Sequence, residues 1–267
     1  MAKDLLFSLA ALACLFPAAL APLRADSRPD VVFWGSLGLS ILGPVAWSVM
    51  EMSVGWHTGL SITLWVCIVA SLLVFAGMSW GTRQSWRLAP LLFPYLIGLG
   101  IIATIWRQAM GHGLAEGAPA RWVKFHILTS VATYGLLTVA AVAALACFLQ
   151  ERALKTKRPN TLTRMLPPVA DSEFLLGRLL LTSEIVLGLG LVSGVALQYM
   201  EAGVIFRIGH KTLLSLMAFV LIGLLLLARR VIGVRGRMAA RMALLAYLLL
   251  TLAYPGVKFV TDVLLGR

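Results

Sequence analysis

The sequence predicts an all-α integral membrane protein, a bundle of eight transmembrane helices forming a single transmembrane domain over residues 1–267. Hydrophobic residues make up 60% of the chain and charged residues only 13%, with a mean hydropathy of +0.91. A soluble domain is about 45–50% apolar and about 25% charged. The apolar residues fall into runs of spanning length, and the basic residues gather in every second connection between those runs. These observations exclude a water-soluble domain and a disordered chain.

Each of the eight apolar runs approaches or exceeds the roughly 20 residues that cross a bilayer. The runs are residues 5–21, 32–50, 58–79, 88–106, 125–149, 177–199, 209–228 and 239–264. Pro44 interrupts the second run and Pro255 the eighth, which a helix tolerates when neighbouring helices surround it. The first run could also be a secretory signal cleaved after Ala21, but Pro22 would follow the cut and the preceding segment has no net charge. We therefore predict a membrane span there.

The basic residues predict the orientation of the chain. Fifteen of the 23 Lys and Arg residues lie in the connections after the first, third, fifth and seventh runs, seven lie on the opposite side, and Lys258 lies within the eighth run. Because cytoplasmic loops are enriched in basic residues, both termini are predicted to lie on the periplasmic or outer side of a bacterial inner membrane.

The net charge of +12 would favour nucleic acid as the partner of a soluble chain. No nucleic-acid-binding motif accompanies that charge. We therefore interpret the basic side chains as topology signals and as contacts with membrane lipid, and we expect no nucleic-acid partner.

All four histidines fall at or near the predicted outer face. His57, His126 and His210 open the third, fifth and seventh runs, and His112 lies in an outer loop. Neutral imidazole is a good ligand for haem iron, and two imidazoles hold the iron from opposite faces. The alternative is that these amphipathic side chains settle at headgroup depth without binding anything.

Polar residues in the fifth run recur at helical spacing. His126, Thr129, Ser130, Thr133 and Tyr134 stand at i, i+3, i+4, i+7 and i+8, which places them on one helical face. Such a face should point into the bundle. It predicts either a pocket beneath a ligand or hydrogen bonds that join helices.

Glu184, Lys258 and Asp262 are charged residues that lie within predicted spans. Lys258 and Asp262 are spaced i, i+4, which favours a local ion pair. Glu184 has no partner in its own run; a basic residue on another helix, a proton path, a cationic substrate and a structural role all remain open. Gly190 and Gly194 form a GxxxG pattern, which predicts the close approach of another helix.

The motifs of common enzymes are absent from the sequence. There is no Walker A loop, no HExxH and no GxSxG. The three cysteines lie singly in different runs and form no CxxC. We expect the chain not to be an enzyme.

Several segments of the second half form a recognisable pattern: 126–134 (HILTSVATY), 166–168 (LPP), 209–212 (GHKT), 233–240 (GVRGRMAA) and 252–260 (LAYPGVKFV). Together they resemble the cytochrome c assembly family, which includes CcsA- and CcmC-type haem-handling proteins. Within it the chain is most similar to the eight-span HemX/YpjD-like branch. The resemblance covers about residues 120–265, and the first four runs agree with it in number and hydropathy.

The resemblance implies haem handling in cytochrome c biogenesis. His126 stands where the family places a histidine at the outer mouth of a span, an expected axial ligand of haem iron. Lys211 and Thr212 match the lysine and polar residue that close the family's tryptophan-rich segment. The haem-handling members carry a WWD-type run before that lysine, whereas residues 199–211 contain no tryptophan and His210 replaces a proline.

Two functions follow from these observations. In the first, the chain binds haem near the outer face through His126 and either His57 or His210, with Lys211, Arg207 and Lys258 available to pair with propionates. In the second, which the missing tryptophans favour, it is a permease-like or accessory subunit without haem. Its partner, a membrane protein or an ATPase, would then dock on the basic cytoplasmic loops 150–178 and 229–241.

Overall fold

A computed structural model describes residues 2–23, 29–54, 59–107, 120–202 and 209–264 of the protein, and every regular element in these ranges is helical. Ten α-helices follow one another: α1 (Ala2–Ala13), α2 (Phe16–Leu20), α3 (Val31–Val54), α4 (Leu60–Gly81), α5 (Ala89–Ile105), α6 (Ala120–Thr156), α7 (Thr161–Met165), α8 (Val169–Ala202), α9 (His210–Val231) and α10 (Gly236–Thr251). Seven helices in the described residues are long and apolar enough to cross a membrane. The predicted class, an all-helical multi-pass membrane protein, is therefore confirmed.

The first predicted span forms a shorter apolar helix over Asp4–Leu20. It is divided into α1 and α2, with Pro17 in the first turn of α2. Two polar contacts fasten it to the bundle: Ser8 Oγ lies 2.8 Å from Thr104 Oγ1 on α5, and Ser40 Oγ on α3 donates to the Cys14 carbonyl oxygen at 2.9 Å. This segment is thus part of the packed bundle, although it is shorter than the seven long helices.

Helix α6 lies at the centre of the bundle and packs against α4, α8 and α10. Small residues allow this close packing, because a Cβ on Gly135 would lie 2.8 Å from the Ala70 backbone carbon of α4. The helix continues to Thr156, beyond the predicted end at residue 149. Strong helix formers such as Glu151, Arg152 and Ala153 follow the apolar run, so the helix extends past the membrane segment.

The connection after α6 is ordered. Gln150 Nε2 donates to the carbonyl oxygens of Thr163 and Pro167 at 2.7 and 3.1 Å, and the Leu166 carbonyl oxygen lies 3.3 Å away. Asn160 and Thr163 form a capping box that starts α7. We call this end of the bundle the loop end and the opposite end, near His126, the histidine end.

Helix α8 anchors the next connection at the loop end. Its Glu173 accepts a hydrogen bond at Oε1 from the Gly236 backbone N–H at 2.6 Å. The Glu173 carbonyl oxygen also accepts one from Arg229 Nη2 at 3.2 Å. The start of α10 is therefore held against α8 by hydrogen bonds as well as by apolar packing.

The last span changes its helical type around its proline. Helix α10 ends at Thr251, and wider π-helical turns follow over Leu252–Gly256 and Phe259–Leu264. Pro255 lacks a backbone N–H, so the α-helical ladder cannot continue unchanged through it. The predicted interruption of this span thus takes the form of a local widening.

Candidate functional site

A cavity of about 630 Å³ lies near the histidine end, between α6, α8, α9 and the last span. Such a volume is typical of sites for cofactors and other small molecules. Its walls are mainly apolar, and each of the surrounding helices contributes at least one polar group. The polar lining residues are His126, Ser130, Thr133, Tyr134, Gln198, Lys211, Thr212, Ser215 and Tyr254.

The polar stripe of α6 forms one wall of this cavity. Four of its five members, His126, Ser130, Thr133 and Tyr134, line the space. The fifth, Thr129, is buried, and its hydroxyl would be 3.6 Å from a Cβ on Gly190 of α8. The prediction that this stripe points into the bundle is confirmed. Four of its members line the cavity, whereas the Thr129 hydroxyl donates to the carbonyl oxygens of Phe125 and His126 in its own helix.

His126 is held by a serine of the neighbouring helix. Its Nδ1 lies 2.9 Å from Ser193 Oγ, and Ser193 Oγ in turn donates to the Gly190 carbonyl oxygen at 2.9 Å. A hydroxyl has a single hydrogen, so when Ser193 donates it to the carbonyl oxygen, the serine oxygen accepts from the imidazole. In the neutral ring this assigns the proton to Nδ1 and leaves the lone pair of Nε2 uncommitted. Metal-binding histidines are oriented in the same way, with their second nitrogen donating to an oxygen.

The GxxxG pattern makes room for the imidazole. A Cβ on Gly194 would lie 3.1 Å from His126 Cε1, so the ring packs directly on the glycine backbone. Gly190, one turn away, leaves space for Thr129 in the same manner. The predicted close approach of another helix is confirmed, and that helix is α6.

Lys211 supplies positive charge to the cavity from the first turn of α9. The side chain is exposed, so its ammonium group is available to an anionic group of a ligand. Thr212 and Ser215 on the same helix add hydroxyl groups. An amphiphile with an anionic end fits this arrangement of charge and apolar wall.

The other predicted residues have different positions. His210 is exposed at the start of α9 and does not line the cavity, while His57, His112 and Arg207 lie outside the described residues. Among the described residues no hydrogen bond joins Lys258 to Asp262. The Asp262 carboxylate instead accepts a hydrogen bond at Oδ1 from Thr261 Oγ1, at 2.8 Å.

Glu184 lies on α8 where this helix contacts α9. It is closer to the loop end than the cavity is. Its Oε1 would be 3.0 Å from a Cβ on Gly223 of α9. Its Oε2 is buried and has no hydrogen-bond partner in the part of the chain that the structure describes. The carboxyl group occupies the space that Gly223 leaves, and it does not line the cavity.

A cluster of tyrosines next to the cavity was missed by the sequence analysis. Tyr95 of α5 and Tyr247 of α10 are hydrogen-bonded to each other, and each hydroxyl lies 3.2 Å from that of Tyr134. Thr138 Oγ1 lies 3.1 Å from the Tyr247 hydroxyl. Since Tyr134 also lines the cavity, the cluster ties the cavity wall to α5 and α10. Three tyrosines on three separate runs share no spacing signal, so periodicity could not have connected them.

Comparison with known proteins identifies the family. The family model for the cytochrome C assembly protein matches residues 54–265. The chain belongs to the cytochrome c assembly family. The match begins well before residue 120, so helices α4 and α5 belong to the family region together with every described helix around the cavity.

A relative of the chain comes from Azospirillum brasilense, where it is described as an uncharacterized 28.8 kDa protein in the nifR3-like 5′ region. The two sequences are 55% identical over 272 residues, and the alignment covers 100% of both chains. No solved structure matches the chain. The family match thus indicates the general process in which the protein takes part, and the residues that line the cavity indicate what kind of ligand it can bind.

Proposed function

We propose that the protein binds haem in the cavity near the histidine end, as a haem-handling membrane protein of the cytochrome c biogenesis type. The observation that supports this proposal is the pairing of His126 with Ser193 beside a largely apolar cavity. Its volume, about 630 Å³, suits a cofactor-sized ligand. The donor set also fits haem, because it offers one imidazole for the iron and one cation for a carboxylate. No bond need be made or broken by the protein itself.

Each part of the cavity has a separate role in this proposal. His126 would hold the iron through Nε2, with Ser193 keeping the ring in the tautomer that leaves this nitrogen free. Lys211 would pair with a propionate, and the apolar walls would exclude water from the rest of the ligand. Bound haem supplies an iron centre that changes oxidation state. His210 does not line the cavity and His57 lies outside the described residues, so His126 is the described histidine that would hold the iron.

We further infer that the bundle has eight spans, with the segment of α1 and α2 as the first, as in the HemX/YpjD-like branch. The basic connections of the loop end would then face the cytoplasm, and the cavity would lie toward the outer side of a bacterial inner membrane. This orientation suits haem that is passed on outside the cytoplasm.

An absorption spectrum of the purified protein tests the proposal. Protein expressed with ample haem should show a Soret band, and His126→Ala should reduce haem occupancy at least tenfold. His112→Ala serves as the matched control and should retain the band. His57→Ala and His210→Ala test whether either histidine also holds the iron, which a change from a low-spin to a high-spin spectrum in that variant would show. Folded wild-type protein that purifies without a Soret band would contradict the proposal.

The absence of tryptophan from residues 199–211 supports a second candidate, a permease-like or accessory subunit that binds no haem. Its partner, an ATPase or another membrane protein, would dock on the basic loops 150–178 and 229–241, where several cations are exposed. These include Lys155, Lys157, Arg158, Arg230 and Arg241. Colourless protein that co-purifies with a stoichiometric partner, and loses it when these residues are changed to glutamine, would favour this function.

A further inference from the structure

Helices α8 and α9 pack closely toward the loop end. A Cβ on Gly188 would lie 3.3 Å from Phe219 Cε2, and one on Gly223 would lie 3.0 Å from Glu184 Oε1. Nearer the loop end, a Cβ on Gly177 would lie 3.3 Å from Arg229 Nη2. The two helices are antiparallel, so residues that lie further toward the carboxyl end of α8 face residues that lie further toward the amino end of α9.

Toward the histidine end, the residues of α8 and α9 that face each other by the same pairing line the cavity and do not form a packed interface. This pairing sets Val192 of α8 opposite Ser215 of α9, and Val195 opposite Thr212. All four residues line the cavity. The two helices therefore have space between them over their histidine-end halves.

This space extends from the interior of the bundle to its surface. On the inner side it is bounded by Tyr134, which is fully buried, and by Leu187, which is 5% exposed. On the outer side it is bounded by Val192 and Leu216, which are 70% and 41% exposed. Both outer residues lie within helices of spanning length, so the surface that they form faces lipid.

We propose that the gap between α8 and α9 is a lateral portal through which the cavity exchanges an amphiphilic ligand with the bilayer. The ligand class has an apolar body and an anionic end. The body passes between Val192 and Leu216, and the anionic end is held by Lys211 at the histidine end. This inference rests on the proposed function in identifying the ligand as haem, but the portal itself follows from the helix packing.

Spin-label accessibility tests the portal without any ligand. The label is placed by Ser215→Cys in a chain whose Cys14, Cys67 and Cys147 are replaced by alanine, and the protein is reconstituted in phosphatidylcholine vesicles. Val220→Cys, on the exposed face of α9, and Arg230→Cys, at the loop end, provide the lipid and water references. The label at residue 215 should collide with oxygen, which dissolves in lipid, as often as the label at residue 220 does. It should not collide with Ni-EDDA, which stays in water. A label reached by Ni-EDDA alone, or by neither reagent, would overturn the portal.

Haem uptake tests the route of entry. Haem is presented either dissolved in phosphatidylcholine vesicles or bound to albumin in solution, and the growth of the Soret band is followed. Val192→Trp narrows the portal and should slow uptake from the vesicles at least fivefold, whereas Leu189→Trp, which is also exposed on α8 but does not line the cavity, should leave the rate unchanged. Equal rates for the two variants would overturn lateral entry. Wild-type protein that takes up no haem from either source would contradict the proposed function but not the spin-label result.

Discussion

At the scale of single residues, the pairing of His126 with Ser193 is the feature with the clearest chemical consequence. When the Ser193 hydroxyl donates its one hydrogen to the Gly190 carbonyl oxygen, the proton of the neutral imidazole lies on Nδ1. Gly194 then sets how closely the ring approaches α8. The ligand atom is thus oriented by two residues of a different helix, neither of which would touch the iron.

Replacing Ser193 by alanine tests this orientation. The hydrogen bond that fixes the tautomer is lost, so the haem affinity should fall about 10–100-fold, as is usual when a ligand's outer hydrogen-bond partner is removed. Haem titration followed at the Soret band measures the change. Ser183→Ala is the matched control, because Ser183 is buried on the same helix and donates to the Leu180 carbonyl oxygen at 3.0 Å, away from the cavity. Equal affinities for the two variants would refute the positioning role.

At the scale of elements, the loop end is held in place by side chains that form hydrogen bonds with backbone carbonyl and N–H groups. Gln150 reaches the carbonyl oxygens of three residues beyond α6, and Glu173 binds the backbone N–H at which α10 begins. Buried backbone groups need such partners. These contacts explain why the connection over residues 150–178, which the sequence predicts to be a cytoplasmic loop, is ordered.

Replacing Gln150 by alanine should release this connection. The three carbonyl oxygens lose their donor, which should lower the free energy of unfolding by about 1–3 kcal/mol. Limited trypsin digestion should cut faster after Lys157 and Arg164. Gln84→Ala is the control, since Gln84 is also a partly buried glutamine in a connection between helices and makes no side-chain capping hydrogen bond. Indistinguishable cutting rates in the two variants would argue against the role of Gln150.

At the scale of the whole molecule, the two ends of the bundle differ in charge and in the position of the cavity. Basic residues concentrate at the loop end, and the cavity lies toward the opposite end with His126 and Lys211. Because the positive-inside rule depends on this imbalance, it predicts a cytoplasmic loop end and an outward cavity.

Reporter fusions measure that orientation. A fusion after Lys157 should give fluorescent green fluorescent protein and inactive alkaline phosphatase, because that connection is predicted to be cytoplasmic. Fusions after Arg267 should give the reverse pair of results. A fusion after Arg83, in another predicted cytoplasmic connection, serves as the control and should behave like Lys157. Fluorescence at the carboxyl terminus would show that the orientation or the number of spans is wrong.

Much of the fold could be predicted because membrane spans are long apolar runs. Helices α3, α4, α5 and α9 begin and end within a few residues of the predicted runs. Helices α6 and α8 are longer than predicted, because amphipathic or charged helix formers continue them into water. The division between α1 and α2, at Pro17, was also missed. Hydropathy identifies the segment inside the membrane, and it carries little information on where a helix ends.

The sequence by itself determined the membrane class, the charge imbalance, the family resemblance and the inward face of α6 with His126. Only the tertiary structure decided that His126 meets Ser193 and Gly194, that Lys211 lines the cavity while His210 does not, and that α8 and α9 separate beside the cavity. The physical reason is that helical periodicity shows which face of a helix points inward. Which other helix meets that face, and at what height, depends on packing between segments far apart in the chain.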